Sequence, residues 1–201
     1  MKVKHRMIKK LITINQNATI PHAIEIMKKH SIRHLPVVQG KTFLGFVTAG
    51  DLRQAFYPSM INKLTIKDIM IKRPIVVEPE TSLEEAANLI FRHKIGGLPV
   101  VDSKKLVGII TVTDILAAFI QIMGVLKSSS RIDIILGNKP HALEEVSRII
   151  KENNGEIISM GTSSHRSKGR RVYFFRLEKC NTSRIAKALE KKGYKVTMTI
   201  E

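Results

Sequence analysis

A single cysteine, Cys180, stands in 201 residues, with no tryptophan and an aromatic share of 5%. One thiol cannot close an internal disulfide, so a disulfide scaffold is excluded and a reducing cytoplasm is the expected compartment. Cysteine–histidine clusters with zinc spacing are missing. His30 and His34 lie four apart, but His30 recurs 63 residues on as His93, with Gly97 at the place of His34, so no metal is expected. Few aromatics leave little with which to stack unpaired bases. Long apolar runs are also lacking. The richest region, Leu106 to Leu126, is split by Asp114, and the remaining piece from Ile115 is well short of the roughly 20 residues that span a bilayer. Lys9 and Lys10 interrupt the basic N-terminal stretch, so no secretory signal and no membrane partner are expected. The phosphate-binding loop pattern and the dinucleotide fingerprint are absent. Cys180 lies in a polar turn with no cue for a paired base, so no enzyme is expected. Acidic side chains are scarce, 17 against 34 basic ones, which gives a formal charge of +17. Such a field favours anionic partners.

What is present is a duplication. Shifting the sequence by 63 residues lays 7–56 on 70–119 without a gap, with 17 identities in 50 positions. Met7 falls on Met70, Ala23 on Ala86, His30 on His93, and Leu35-Pro36-Val37-Val38 on Leu98-Pro99-Val100-Val101. Gly45, Thr48 and Asp51 fall on Gly108, Thr111 and Asp114. Each copy reads as β-α-β-β-α. A short strand (Ile12 to Ile14; Ile75 to Val77) precedes a helix with apolar residues at i, i+3, i+4 and i+7 (Ile20, Ala23, Ile24, Met27; Leu83, Ala86, Ala87, Ile90). Thr19 and Ser82 stand as N-caps, Ser82 with Glu85 as a capping box. Two apolar strands then flank the tight turns Gln39-Gly40-Lys41 and Asp102-Ser103-Lys104. A second helix opens at the aspartate, with Leu52, Ala55 and Phe56, or Ile115, Ala118 and Phe119, on one face.

The glycine in Gly-h-h-Thr-x-x-Asp, where h is apolar, lets the backbone pass close to a neighbour. The threonine and aspartate sit at a helix mouth, where free N–H groups and the macrodipole favour an anion. A carboxylate can also accept two hydrogen bonds from adjacent hydroxyls, as on a ribose. Two such sites suit nucleotides. One unit is too small to bury both faces of its sheet, whereas two packed by pseudo-twofold symmetry would create two equivalent clefts.

On these motifs residues 1–127 resemble a tandem pair of cystathionine β-synthase (CBS) domains, a Bateman module. The resemblance implies a regulatory module that binds an adenosine-containing ligand: AMP, ADP, ATP or S-adenosylmethionine. It implies Asp51 and Asp114 on ribose hydroxyls and Thr48 and Thr111 facing ribose or phosphate. The base would lie among Ile12, Ile14, Ile75, Val77 and the segments that run into Pro36 and Pro99. The copies differ at one place: Arg33 and His34 precede Leu35, but Gly96 and Gly97 precede Leu98. A cation there can neutralise phosphate, and two glycines permit close backbone approach to a flat base. Unequal affinities are expected.

Ser128-Ser129-Ser130 marks a composition shift and a hinge. After it come a strand (Arg131 to Leu136), a helix (Pro140 to Asn153, with Leu143, Val146, Ile149 and Ile150 inward) and two strands (Ile157 to Gly161; Arg171 to Leu177). Thr182 or Ser183 caps a helix that runs to Lys192, and Tyr194 to Ile200 is the last strand. The order β-α-β-β-α-β is ferredoxin-like. Residues 128–201 thus resemble an ACT domain, which implies a sensor or dimerisation module. ACT domains that bind amino acids carry Pro-Gly-x-Leu where this chain has Pro140-His141-Ala142-Leu143, so pairing of copies is the expected role. The combination is similar to AcuB-type regulatory proteins. The expected fold class is α/β (α+β): a CBS pair plus a ferredoxin-like ACT-type domain, acting as a homodimer on an unknown regulated protein. The helix from Ile115 to Leu126 would be core or a dimer face and would carry the signal. Two rival readings stand beside this one. The basic loop His165-Arg166-Ser167-Lys168-Gly169-Arg170-Arg171 suits a phosphate backbone and makes nucleic acid an alternative partner; the other rival is a structural adaptor without ligand.

Overall fold

The computed structural model describes residues 1–40, 42–55, 64–125, 129–137, 139–167 and 170–201, excepting the side chains of 163–167 and 170. The chain divides into two compact units, Met1–Leu116 and Ala117–Glu201. The division falls inside a helix rather than at the serine run.

The first unit opens with a 3-10 turn, Val3–His5, followed by β1 (Ile14–Asn15), α1 (Ile20–Lys29), β2 (His34–Gln39), β3 (Thr42–Thr48) and α2 (Ala49–Gln54). The second repeat holds α3 (Ile66–Ile69), α4 (Leu83–His93), β4 (Gly97–Asp102), β5 (Lys105–Thr111) and α5 (Val112–Ile122). Thr19 caps α1 by accepting from the His22 N–H at 3.3 Å, and the helix buries Ile20, Ala23 and Met27. Ser82 caps α4 by accepting from Glu85 N–H at 3.0 Å; of the expected capping box this half is formed. The hairpins β2–β3 and β4–β5 share one register, His34 opposite Thr48 and Gly97 opposite Thr111, and even one bulge, at Val37/Val38 and Val100/Val101. Ser103 and Lys104 both take positive φ, the geometry a two-residue hairpin turn needs. The first strands are shorter than expected. β1 starts at Ile14, and in the second repeat Val77 alone bridges, in parallel, to Val100. Lys41 and Phe56 lie outside the described residues.

The repeats are closed by exchange. The turn before the first repeat docks on the second, where Val3 N–H donates to Thr81 O (2.9 Å) and Lys4 N–H to Pro79 O (3.0 Å). The turn before the second docks on the first through the equivalent bonds, Ile66 N–H to Ala18 O (3.0 Å) and Lys67 N–H to Gln16 O (2.8 Å). Ile8 then pairs with Ile109, and Ile71 with Phe46. Val3 and Ile66 are wholly buried, Ile66 inside the core of the first repeat with Ile14, Ile20, Leu35 and Val47.

This exchange explains two conserved-looking features of the duplication. A Cβ on Gly45 would lie 2.6 Å from the carbonyl oxygen of Ile71 and 3.2 Å from Met70 Sδ; on Gly108 it would lie 2.6 Å from Met7 Sδ. The glycines therefore admit the crossing segments. Gly45→Ala is expected to lower stability by about 1–3 kcal/mol, read as a lower urea midpoint at unchanged slope. An unaltered midpoint would show that the crossing segment is not packed there.

In the second unit β6 (Ser129–Ile135), α6 (Ala142–Glu152), β7 (Ile157–Ser167), β8 (Arg170–Glu178), α7 (Thr182–Lys191) and β9 (Lys195–Ile200) follow in sequence. The antiparallel sheet has the order β7-β8-β6-β9, which is ferredoxin-like. Val146, Ile149 and Ile150 of α6 and Ile185 and Leu189 of α7 pack with Ile132, Ile134, Phe175 and Leu177 of the sheet. Ser129 and Ser130 belong to β6 instead of a hinge. Ser130 is buried because its Oγ accepts from Cys180 N–H (3.0 Å) and donates to Cys180 O (3.1 Å). Leu143 is exposed, since Ala142 takes the inward place at the start of α6. The cap of α7 is Asn181, whose Oδ1 accepts from Arg184 N–H at 3.0 Å, while Thr182 is buried. β7 and β8 run six residues and one residue further toward their turn than expected, so the basic stretch continues a two-stranded ribbon, with Arg166 opposite Arg171 and Ser167 opposite Arg170. Lys168, Gly169 and the side chains of His165, Arg166, Ser167 and Arg170 lie outside the described residues. The buried Tyr194 hydroxyl donates to Glu145, and burial together with that carboxylate pushes the phenol up to about 12.

α5 starts in one unit and ends in the other. Ile115 and Ala118 are buried in the core, while Leu116 is 55% exposed and Val112, Phe119 and Ile122 are exposed as well, so the helix also has an open apolar face. Beyond Ile122, Ser159 Oγ donates to Met123 O (2.9 Å) and Ser129 Oγ to Gly124 O (3.3 Å). Leu126 and Ser128 lie outside the described residues. Among the described residues no helix is long and apolar enough to cross a membrane.

Candidate functional site

Each Thr-x-x-Asp sits where a β-strand turns into a helix. Threonine is the last strand residue, and its extended backbone leaves the helix's first N–H groups unpaired, which is the position a cap fills. In the first repeat Thr48 N–H and Thr48 Oγ1–H both donate to Asp51 Oδ2, at 2.8 and 2.7 Å. Asp51 N–H returns to Thr48 Oγ1 at 3.3 Å. The second repeat repeats this with Thr111 and Asp114 at 2.8, 2.6 and 3.4 Å. The helix thus begins at the threonine as cap, three residues before the expected aspartate. In both copies the Thr–Asp hydrogen bonds land on Oδ2, and Oδ1 accepts none among the described residues.

Capping geometry alone does not mark a ligand site. Thr65 and Asp68 form a third box with bonds of 2.8 and 2.7 Å, but these bonds lie exposed, on the outer side of the four-residue α3. Those two bonds hold the Asp68 carboxyl below the ordinary carboxylate range. What sets the other two apart is their surroundings. Thr48 lies opposite His34 and Thr111 opposite Gly97, at the starts of β2 and β4. Ala49 N–H donates to Arg33 O (3.0 Å), and at the matching position Val112 N–H donates to Gly96 O (3.1 Å). The first-strand residues come to the same strands. Ile14 pairs with Val37, beside Pro36, and Val77 N–H donates to Pro99 O at 3.1 Å. Ile14, Val77, Pro36 and Pro99 are buried; Ile12 and Ile75 are half-buried.

The copies part at the position read from sequence. Arg33 is exposed, with its side chain free of recorded ion pairs among the described residues, whereas Gly96 offers bare backbone. His34 stacks on Phe46 with ring centroids 5.8 Å apart and planes 17° apart. Its Nε2 would lie 2.6 Å from a Cβ built on Gly96, so this ring spans from the first repeat to the second. Burial, then the Arg33 guanidinium, hold its imidazole below the ordinary histidine value, with Asp51 pulling the other way. Sequence reasoning did not reach this contact, nor Met7 and Met70 as partners of the glycines. The duplication of both methionines was the one available signal. A cavity of about 400 Å³ runs along α4, lined by Ser82, Glu84, Glu85, Asn88, Leu89 and Arg92. It includes none of the candidate residues, and its two carboxylates make it a poor host for an anion. Among the described residues no group of His, Cys, Asp or Glu could hold a metal ion.

The duplicated unit, its exchanged turns and its paired Thr-x-x-Asp ends match a known family: residues 3–58 and 66–121 each match the CBS domain. The chain belongs to the CBS-domain family. Its N-terminal part is a tandem CBS pair. An inosine-5′-monophosphate dehydrogenase of Korarchaeum cryptofilum is 38% identical over 109 residues, 54% of this chain but 22% of the relative, so the chain spans about a fifth of that protein's length. Among solved structures, a CBS domain pair in complex with 5′-methylthioadenosine and S-adenosyl-L-methionine is 34% identical, with a TM-score of 0.54 over 59% of this chain and 95% of that one. A CBS-pair protein of Arabidopsis thaliana in complex with AMP is 29% identical, with a TM-score of 0.56 over 60% and 97%. An acetoin utilization protein (AcuB) from Vibrio cholerae is 33% identical, with a TM-score of 0.57 over 64% and 97%.

Proposed function

We propose that this CBS pair senses an adenosine-containing ligand and regulates another protein, with no catalytic step of its own. The observation that carries the reading is the duplicated, part-buried Thr-x-x-Asp with an unused carboxylate oxygen, beside the strand starts of a pair whose structural neighbours hold AMP, 5′-methylthioadenosine and S-adenosyl-L-methionine. A capping carboxylate is already fixed in place, so its free oxygen accepts ribose hydroxyls without losing further side-chain freedom. Asp51 and Asp114 take that role, and Thr48 and Thr111 face ribose or phosphate. Ile12, Ile14, Pro36, Ile75, Val77 and Pro99 enclose the base. Arg33 and His34 give the first repeat a positive resource for phosphate that Gly96 and Gly97 do not match, so the two clefts differ in affinity.

In this reading residues 1–127 form the sensor and 128–201 an ACT-like pairing domain, the arrangement of an AcuB-type protein working as a homodimer in the cytoplasm. The open apolar face of α5 and the ferredoxin-like sheet support a second copy as partner. α5 begins at the second Thr-x-x-Asp and carries the ligand's preference for one packing into the C-terminal unit. That requires different affinities in two states, since equal binding to both shifts nothing.

Titration calorimetry with AMP, ATP and S-adenosylmethionine tests the reading. One ligand is expected to saturate, and Asp51→Ala with Asp114→Ala to weaken it about 10- to 100-fold, the loss of a hydrogen bond to a charged group. Intact binding in the double variant would overturn the assignment. The ribbon that pairs Arg166 with Arg171 and Ser167 with Arg170, within a stretch that also holds Lys168 in sequence, supports nucleic acid as a second reading, because two-stranded ribbons fit the major groove. Steeply salt-dependent binding of duplex DNA, lost on neutralising those four basic residues, would favour it.

A further inference from the structure

Three observations converge on His34. Its backbone lies opposite Thr48, the cap of the first Thr-x-x-Asp. Its ring is stacked on Phe46 from β3. The edge of the ring that carries Nε2 fills the space a Cβ on Gly96 would take, 2.6 Å from that position, and the Gly96 carbonyl holds the first N–H of α5 beside Thr111. One imidazole therefore touches the frame of both candidate sites. Any residue with a Cβ in place of Gly96 would push it away, since Cβ contacts of 2.6 Å essentially never occur. The duplication makes the arrangement one-sided: the counterpart of His34 is Gly97, and that of Arg33 is Gly96.

We propose that His34 is a proton-linked specificity residue at the seam between the repeats, neutral when seated on Gly96 and charged when a phosphate-bearing adenosine ligand binds beside it. The inference rests on the nucleotide reading and adds to it which ligand chemistry is preferred. The charged groups acting on the ring are Arg33 and Asp51; Phe46 and Gly96, packed against it, bring none. In the free protein burial and Arg33 disfavour the imidazolium. An anion near Arg33 offsets that cation and favours the imidazolium directly. Both effects act in one direction, so binding takes up a proton. By linkage, affinity for a phosphate ligand then rises as pH falls through the bound-state value and levels off below the free-state one. A neutral thioether such as 5′-methylthioadenosine carries no anion and gains nothing, while a sulfonium sets a cation where the nucleotide has its phosphate. The chain thereby favours nucleotides over uncharged adenosine ligands at slightly acid pH.

Imidazole proton–nitrogen NMR of the full chain, free and with AMP or adenosine, tests this directly. His34 is expected to titrate below the ordinary histidine value when free, to move up on AMP and to stay in place on adenosine. Calorimetry in two buffers of different ionisation heat is expected to show proton uptake and about threefold to tenfold tighter AMP binding at pH 6 than at pH 8, beyond what His34→Gln shows. The difference between the two proteins removes the phosphate's own ionisation. Gly96→Ala, which unseats the ring, is expected to return the free-state titration toward the ordinary value. AMP binding with an unmoved His34 and an unchanged pH profile in His34→Gln would overturn this inference while leaving the nucleotide reading intact. Binding of S-adenosylmethionine without AMP or ATP would overturn this inference alone, and absence of binding by all three would overturn both.

Discussion

Replacing Ile66 with alanine is expected to destabilise the N-terminal unit by about 2–5 kcal/mol, the range for a large aliphatic side chain removed from a core. Ile66 precedes the second repeat in the chain but is 0% exposed within the core of the first, alongside Ile14, Ile20, Leu35 and Leu52. Leu64, Ile69 and Met70 pack against the same core. The loss should therefore appear in the elements of the first repeat, although the substitution lies outside it. Hydrogen exchange resolved by segment makes the distinction. Faster exchange in α1, β2 and β3 supports the exchanged arrangement. A loss below about 0.5 kcal/mol, the usual size of a surface change, would show that the turn does not complete that core.

Phe175→Ala is expected to cost about 3–5 kcal/mol and to strike the other unit. Phe175 is 1% exposed and is the largest fully buried side chain among the described residues. It stands on β8 among Ile132, Val146, Ile150 and Leu177. Tyr173 and Tyr194 belong to or pack against that core, so tyrosine fluorescence follows its unfolding in a chain without tryptophan. A lower denaturation midpoint by fluorescence, with exchange in residues 1–116 unchanged, is the expected outcome. Equal loss of protection throughout the chain would show one cooperative unit instead of two.

Much of this protein could be read from residues close together in sequence. Thr19 and Ser82 act as caps because the side-chain oxygen reaches an N–H three residues on, whatever the rest of the chain does. Apolar spacing placed Ile20, Ala23 and Met27 on the buried face of α1, and Val146, Ile149 and Ile150 on that of α6. Local signals also misled where two residues competed for one place. Asn181 outcompetes Thr182 as the cap of α7 because Thr182 faces the core and bonds to Glu201. Ser130, polar and next to other serines, reads as a hinge, yet two hydrogen bonds to Cys180 satisfy its hydroxyl inside a strand. Phe119, read as sharing one face of α5 with Ile115 and Ala118, is exposed for a related reason: apolar composition sets what a helix can bury, and only the neighbours present decide which face is covered.

The duplication at 63 residues, the β-α-β-β-α order of the first copy and the α-β-β-α that follows the Val77 bridge in the second, the ferredoxin-like order of the C-terminal unit and the Arg33-His34 against Gly96-Gly97 difference followed from the sequence alone. They depend on caps, turns and alternation, whose physics acts over a few residues. Three matters were decided by the tertiary structure. The turns before the repeats change places, Gly45 and Gly108 make room for Met70 and Met7, and His34 rests on Gly96. Each is a contact between residues distant in the chain, whose closure depends on packing two pseudo-equivalent surfaces together. No periodicity within one strand or helix encodes which of those surfaces a turn will meet.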